Sequence, residues 1–430
     1  MSQRIGRVEK RGIMRLPPQS VVIAHPGRQF EYQIVLALQR SGLLHHFIAG
    51  VYFKPGVFPY TLVGGLPPQI RSRVLRELNK RRMDELDESL ITSVPYFTFL
   101  SRTIGRLKPL LQITEGRSFY IFDNWASDLF VSHWLVNCHP PKPSILYAFL
   151  GSALRSFRQA KRMDVLTVLD VPITLHAPKI VAEEKGRFGL QTNYVQLERR
   201  LQQEVHMADY VITPSQAVAE SVIDYGVSFD RVFVRPFGVN VDQFKPRPAG
   251  LQSASLKFKV VFAGKFDLRK GVHYLLEAWR QLALPDGELI IVGPPAESAF
   301  VEAMRIKYAG TFTEYGNVPH QELATLFSDA DVFSFPSLAE GSALVTYEAL
   351  ACGLPCIVTH ESGSVVRDGI EGFVVPRCDA TELADRIYRL YKDEDLRREM
   401  GIAARKRAEE FTWQRCHTRM VEILETIFGN

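Results

Sequence analysis

The sequence predicts an α/β protein with two doubly wound domains, on three observations. Short β-branched runs alternate with segments of helical period along most of the chain. The 430 residues exceed what one hydrophobic core usually organises, so two domains are the default. The strand–turn–helix pattern that opens near residue 20 restarts near residue 257, after a Gly/Asn/Pro-containing stretch between Asn240 and Leu256.

In the first half, SVVIAHPG (20–27) is a strand running into a turn, and EYQIVLALQRSG (31–42) a helix ending at Gly42. Residues 54–118 break the alternation with PGVFPY and GGLPP, then a basic amphipathic helix over 70–90. Ile70, Val74, Leu75 and Leu78 share one face of it, ringed by Arg71, Arg73, Arg76, Lys80, Arg81 and Arg82. Alternation resumes with SFYIFDNW (118–125) as a strand, DLFVSHWLVN as a helix, SILYAFLG (144–151) as a strand and a basic helix through Lys161 and Arg162. DVLTVLDVP (164–172) is a strand ending at Asp170, with His176 beyond it. A long polar helix follows, then strands at 209–215 and within 231–246.

The second half runs as strand 257–266, a helix N-capped by Asp267, strand 288–295 and a short strand in 312–319. HQELATLFSDA is a helix and DVFSFPS (331–337) a strand. LPCIVTH (354–360) and GFVVP (372–376) are further strands, and helices run from Ala380 to Glu410. The expected organisation is 1–245 with the 54–118 insert, 246–410, and a final helix over 411–430 that crosses back to the first domain. Both sheets should be largely parallel and covered on both faces.

Composition narrows the class. With 46% hydrophobic and 23% charged residues the chain is no disordered polymer. The five cysteines are scattered, with no CxxC or His-pair spacing, so they read as reduced thiols and no metal site is expected. The basic N-terminal leader lacks a following long apolar run, and no later segment reaches membrane-spanning length. A cytoplasmic protein is expected. Residues 1–240 hold 30 Lys+Arg against 20 Asp+Glu, and 241–430 hold 22 against 27, so the halves carry +10 and −5. The first half is therefore suited to an anionic partner, and the basic helix beside aromatic and proline-rich loops suits an anionic membrane surface. The same helix also fits a solvated face packed on its own domain.

Chemistry concentrates in FPSLAEGSALVTYEALACG (335–353), where Glu340 and Glu348 stand eight residues apart around a small-residue helix start. Parallel sheets place ligands at their C-terminal edge, and Lys265, Lys270, Gly293 and Gly316–Val318 should converge there with both carboxylates. Lysines neutralise phosphate, glycines admit close backbone approach, and helix N-terminal amides take up sugar or phosphate oxygens. Carboxylates accept hydrogen bonds from vicinal hydroxyls. A diphosphate between two sugars fits that set, which describes a nucleotide sugar.

Glu340-x7-Glu348, preceded by GKFDLRKG and ADVFSFPS, resembles the retaining GT-B glycosyltransferases of family 4, the glycosyl transferases group 1, from about Ala208 onward and more loosely before Asp170. The resemblance implies two Rossmann-like domains facing across a cleft and metal-independent, retaining hexosyl transfer. It implies no cofactor beyond the donor, a UDP- or GDP-sugar, and an acceptor hydroxyl on a glycan or a lipid-linked molecule. Glu348 would hold the ribose hydroxyls, and Glu340 those of the donor hexose. The amides of Gly341, Ser342, Ala343 and Leu344 would bind sugar and phosphate oxygens. Lys270 would bind diphosphate, with Lys265 where the family usually has Arg, and Gly316, Asn317 and Val318 would lie by the base. The family's usual histidine is replaced by Leu169–Asp170, which leaves Asp170 and His176 as catalytic candidates, each equally readable as a structural loop residue. Gly27 and Arg28 match the first-loop acceptor position, with one glycine where two are usual; His25 reads as loop structure. Other classes fit less of the sequence. A same-fold epimerase or phosphorylase shares the cleft, and a non-catalytic nucleotide-sugar-binding scaffold fits the missing histidine. A nucleic-acid binder explains the basic half alone.

Overall fold

The computed structural model describes residues 17–27, 31–96, 117–138, 142–190, 195–247, 257–294 and 298–429. Strands β1 (Val21–His25), β2 (Leu44–Ala49), β3 (Ile91–Ser93), β4 (Ile145–Phe149), β5 (Leu166–Asp170), β6 (Tyr210–Thr213) and β7 (Val232–Val234) form one sheet in the order β3-β2-β1-β4-β5-β6-β7. β1 runs parallel to both β2 and β4, β2 to β3, and β6 to β7. Helices α1 (Glu31–Arg40), α2 (Pro68–Asn79), α3 (Arg117–Asn137), α4 (Leu154–Arg162), α5 (Ala177–Arg187), α6 (Val195–Met207) and α7 (Gln216–Asp224) accompany these strands in the sequence.

A second sheet holds β8 (Phe258–Ala263), β9 (Gly287–Val292), β10 (Thr313–Tyr315), β11 (Val332–Phe335), β12 (Cys356–Thr359) and β13 (Gly372–Val375), in the order β10-β9-β8-β11-β12-β13 with every pair parallel. Its helices are α8 (Val272–Leu282), α9 (Ala299–Lys307), α10 (His320–Ser328), α11 (Leu344–Ala351), α12 (Ala380–Lys392) and α13 (Glu394–Glu409), and α14 (Trp413–Gly429) closes the chain. Every residue of β8, β11 and β12 is buried, as in sheets covered on both faces.

The chain divides into two compact units. One comprises 1–169, 207–210 and 417–430; the other comprises 170–206 and 211–416. The second unit thus contains the whole second sheet together with β7 and α5. In the first unit, the last helix is held by a hydrogen bond from His417 Nε2 to Gln33 Oε1 at 2.9 Å.

Four local expectations change. Residues 118–125 are helical, not a strand, because they open the unbroken α3, which no Gly or Pro interrupts from Arg117 to Asn137. The helix expected over 70–90 ends at Asn79, and its far end becomes a short 3₁₀ turn leading into the edge strand β3. Strand β2 escapes sequence reading because His45 and His46 interrupt its apolar run. Burial pushes the His46 imidazole down to about 4, and its Nε2 lies 2.7 Å from Thr92 Oγ1. Helix α5 lacks strong apolar periodicity and was not expected. Within the insert, Tyr60 and Leu78 pack with Val51 and Phe53 just before it, and Val63, Val74 and Leu75 are partly buried against them.

One glycine fixes the approach of a functional loop. Gly271 has φ +68°, and a Cβ there would lie 1.9 Å from the Pro336 carbonyl oxygen. Gly271→Ala therefore combines left-handed strain with a backbone clash, and it should destabilise the protein by more than about 1 kcal/mol in chemical denaturation.

Candidate functional site

The second sheet reverses its winding direction between β8 and β11, the position where doubly wound sheets open a ligand crevice at their C-terminal edge. Gly264 follows β8 and Gly293 follows β9, and a Cβ on Gly293 would lie 2.0 Å from the Gly264 carbonyl oxygen. Only bare backbone allows these two turns to meet. Gly293 N–H also donates to Gly316 O at 3.2 Å, which brings the loop after β10 to the same edge.

After β8, Asp267 caps a tight 3₁₀ turn over Leu268–Lys270 by accepting from Lys270 N–H at 3.1 Å. This turn and the left-handed Gly271 direct two adjacent cations to one carboxylate. Arg269 Nη1 lies 2.6 Å and Lys270 Nζ 2.5 Å from Glu340 Oε1, which also accepts from Ser337 Oγ at 3.0 Å. Arg269 Nη1 donates as well to Ala339 O at 2.6 Å. Lys270 lies 5.2 Å from the Phe335 ring centroid. Burial pushes its ammonium below the ordinary lysine range, with Glu340 opposing that shift. The three charges leave one net positive charge at the edge, and exposed Lys265 adds another. Arg269 escapes the sequence reading because successive residues usually diverge. The tight turn announced by DLRKG was the available signal.

The loop carrying Glu340 is fixed by backbone contacts on every side. Glu340 N–H donates to Glu361 O at 2.9 Å, and Glu340 O accepts from Thr174 N–H at 3.2 Å. Ser215 Oγ donates to Gly341 O, and a Cβ on Gly341 would stand 1.7 Å from Pro172 O. Ser342 Oγ donates to Gly363 O at 2.8 Å and lies 2.7 Å from the Tyr347 hydroxyl, so it serves the loop's own structure. The Ala343 amide, expected to face ligand, donates to Ser362 O at 3.1 Å and is occupied in this conformation. Ala343 is the N-cap of α11 and accepts from Thr346 N–H at 3.0 Å, and the Leu344 amide opens the first turn, where a helix has no residue four back to accept from it.

Glu348 lies in the second turn of α11 with its side chain 12% exposed, and its Oε1 is 3.5 Å from His320 Nδ1 at the start of α10. Burial pushes its carboxyl up to about 8. Gly316, Asn317 and Val318 immediately precede α10, so the loop that supplies them also supplies His320, a neighbour the sequence reading missed. A dry carboxylate beside this loop suits hydroxyl donors that replace its lost water.

The catalytic candidates separate. Asp170 is wholly buried, with Oδ2 3.4 Å from Arg235 Nη2, and Arg235 Nη1 donates to Cys416 Sγ at 3.3 Å. Asp170 therefore presents no surface to a substrate, and its place in the structure is that of a core ion pair. His176 is partly exposed, with Nε2 3.1 Å from Asp224 Oδ2. It follows Thr174, the residue bonded to the Glu340 backbone. Helix α5 behind it is fixed by buried Glu184, which accepts from Tyr274 at 2.7 Å and Arg187 at 3.1 Å and lies 2.9 Å from His273 Nε2. Gly27 N–H donates to His25 Nδ1 at 3.0 Å in the first unit. Arg28 lies outside the described residues, as do 97–116 of the expected insert. Among the described residues no cluster of three or more His, Cys, Asp or Glu side chains could hold a metal ion.

The two parallel, helix-flanked sheets and the solved structures they resemble define a GT-B fold. The sucrose-phosphate synthase of Thermosynechococcus elongatus aligns with TM-score 0.66 at 21% identity, over 95% of this chain and 98% of that one. HepE of Anabaena, solved with UDP and glucose, aligns with TM-score 0.60 at 17% identity, over 94% and 99%. Residues 247–407 match the family model "Glycosyl transferases group 1". A curated relative, the D-inositol 3-phosphate glycosyltransferase of Arthrobacter sp. (strain FB24), is 37% identical over 218 residues, 47% of this chain and 52% of its own length. That of Paenarthrobacter aurescens (strain TC1) is 34% identical over 221 residues, 47% and 53%. The chain spans about half the length of these curated relatives.

Two substitutions test the site's electrostatics. Between pH 4.5 and about 8 the folded chain keeps a proton on Glu348 that the unfolded chain has released, so this group's contribution to stability falls as pH rises through that window. Glu348→Gln cannot ionise, and its Tm relative to wild type should rise from pH 5 to pH 8.5; a constant difference would contradict the burial-raised carboxyl. Asp170→Ala leaves Arg235 buried without its carboxylate and should cost roughly 3–5 kcal/mol in denaturant unfolding.

Proposed function

We propose that the protein transfers a hexosyl unit from a nucleoside-diphosphate sugar to an acceptor hydroxyl, with retention at the anomeric carbon and without a metal ion. The observation that carries this reading is the convergence of Arg269 and Lys270 on Glu340 at the sheet's switch point. Two partly buried cations are suited to diphosphate charge, and Glu340 is suited to hexose hydroxyls. Glu348, beside the Gly316–Val318 loop, takes the ribose diol, and the Leu344 amide adds a donor at the helix start.

As the anomeric C–O bond to the diphosphate breaks, Lys270 and Arg269 neutralise the charge that develops on the leaving oxygen. The acceptor oxygen bonds to the anomeric carbon from the same face, and its proton passes to the departing diphosphate. His176 is the candidate for positioning the hexose, because its loop is tied to Glu340 through Thr174. Curated relatives carry the name D-inositol 3-phosphate glycosyltransferase, which makes D-inositol 3-phosphate one acceptor to test alongside glycans and lipid-linked sugars.

The exposed residues of the insert favour an acceptor presented at an anionic membrane surface. Val57, Phe58, Leu62 and Ile70 are all more than half exposed. Arg73 and Arg76 are exposed on the same helix as Ile70. Among the described residues no helix is long and apolar enough to cross a membrane.

Donor binding is tested by thermal shift and calorimetry against UDP-, GDP- and ADP-sugars. At least one should raise the Tm of wild type, and Lys270→Ala and Glu348→Ala should each weaken its binding by about tenfold or more. Unchanged affinity in both variants would overturn the donor-site reading. For His176, a wild-type single-turnover rate in His176→Ala would assign it to loop structure.

A further inference from the structure

The first sheet has its own switch point, between β1 and β4, and nothing in the donor reading uses it. At that edge the ring of His25, which ends β1, packs edge-on against Phe149, which ends β4, with centroids 4.2 Å apart. Beyond Phe149 the chain turns through Gly151 at φ +97°, where a Cβ would lie 3.3 Å from Asn124 Nδ2. The early turns of α3 therefore stand over the mouth of this crevice. They present Trp125, which is 38% exposed, and the guanidinium of Arg155 lies over its ring, 4.7 Å from the centroid.

The position of Arg155 has a separate cause. Asp128 caps α4: its Oδ2 accepts from Arg155 N–H at 2.8 Å, and its Oδ1 from Ser156 N–H at 2.8 Å and Ser156 Oγ at 2.7 Å. The carboxylate is thereby committed to backbone and hydroxyl donors. Among the described residues no Asp or Glu forms an ion pair with the Arg155 guanidinium. A cation held over an exposed indole, with its fork of N–H donors not spent on a carboxylate among the described residues, is preorganised for a planar or tetrahedral anion. The indole edge beside it supplies apolar surface of the kind that the C–H face of a sugar or cyclitol ring covers.

We propose that Arg155 and Trp125 form an acceptor-recognition site, and that the acceptor it selects is a sugar or cyclitol bearing a phosphate or carboxylate. The inference rests on the glycosyl-transfer reading and names the substrate class that reading leaves open. The cap by Asp128 sharpens it, because the α4 N-terminus is already filled and anion selection falls to the side chain. The excess of basic residues in 1–240 acts in the same direction at longer range.

The test pairs anionic acceptors with neutral parents: D-inositol 3-phosphate against myo-inositol, and glucose 6-phosphate and glucuronate against glucose. Each is assayed with whichever nucleotide sugar shifts the Tm of wild type. An anionic member should be glycosylated in preference to its parent. Arg155→Gln should raise the acceptor KM by roughly ten- to hundredfold while leaving donor KM and the donor-induced Tm shift unchanged. Arg155→Lys should recover part of that loss, since it keeps charge but not the fork. Trp125→Phe should be milder than Trp125→Ala. Equal use of anionic and neutral acceptors, turnover of none of these probes by a donor-binding enzyme, or equal acceptor KM in Arg155→Gln and wild type would overturn the proposal. A wild type that binds no nucleotide sugar would instead overturn the donor reading. Retention of wild-type Tm by Arg155→Gln excludes misfolding as the cause of any loss.

Discussion

Glu340 is the constraint around which the second unit is arranged. Two cations on successive residues repel each other, at an effective dielectric of 20 by about 4 kcal/mol for charges 4 Å apart. A single carboxylate oxygen 2.5–2.6 Å from both offsets that repulsion and fixes their direction. The loop that holds the carboxylate is in turn bonded to Glu361, Thr174 and Ser215 through its backbone. The cation pair is consequently built before any ligand arrives, and little reorganisation is needed when an anion does.

The same unit places its second carboxylate in the opposite condition. Glu340 is surrounded by donors, whereas Glu348 has, among the described residues, His320 at 3.5 Å and is held dry, its carboxyl pushed up to about 8. One acid is thus satisfied by cations, and the other is held dry by burial. This division of environment sets two unlike carboxyl groups along one short helix start. It also makes Glu348 a site of stored instability, the usual cost of a preformed polar site.

Burial also sorts the residues that sequence left equivalent. Asp170 and His176 stand six residues apart, yet Asp170 is sealed against Arg235 while His176 reaches the surface on a loop tied to Glu340. In the first unit, the carboxylate of Asp128 is consumed by a helix cap, and Arg155 is left on Trp125. In each case, which partner a charge takes decides whether it is structure or chemistry.

The alternation of β-branched runs with helical periods was sufficient to predict two doubly wound sheets, because that pattern is a local property of the chain. The spacing of Glu340 and Glu348, with Lys270 and the loop glycines, likewise pointed to one edge of one sheet. Residues 118–125 were misread because a dense aromatic run fits either period, and β2 was missed because its two half-buried histidines look polar in sequence. Arg269, His320 and the Trp125–Arg155 pair were invisible for a different reason. Their roles come from neighbours far along the chain: Arg269 and Glu340 are 71 residues apart, and Arg155 and Trp125 are 30 apart. Sequence by itself determined the alternation of strands and helices along most of the chain and the residue types that stand beyond the second sheet's strands. Only the tertiary structure decided which charges meet, because pairing and burial depend on distance in space, which periodicity does not encode.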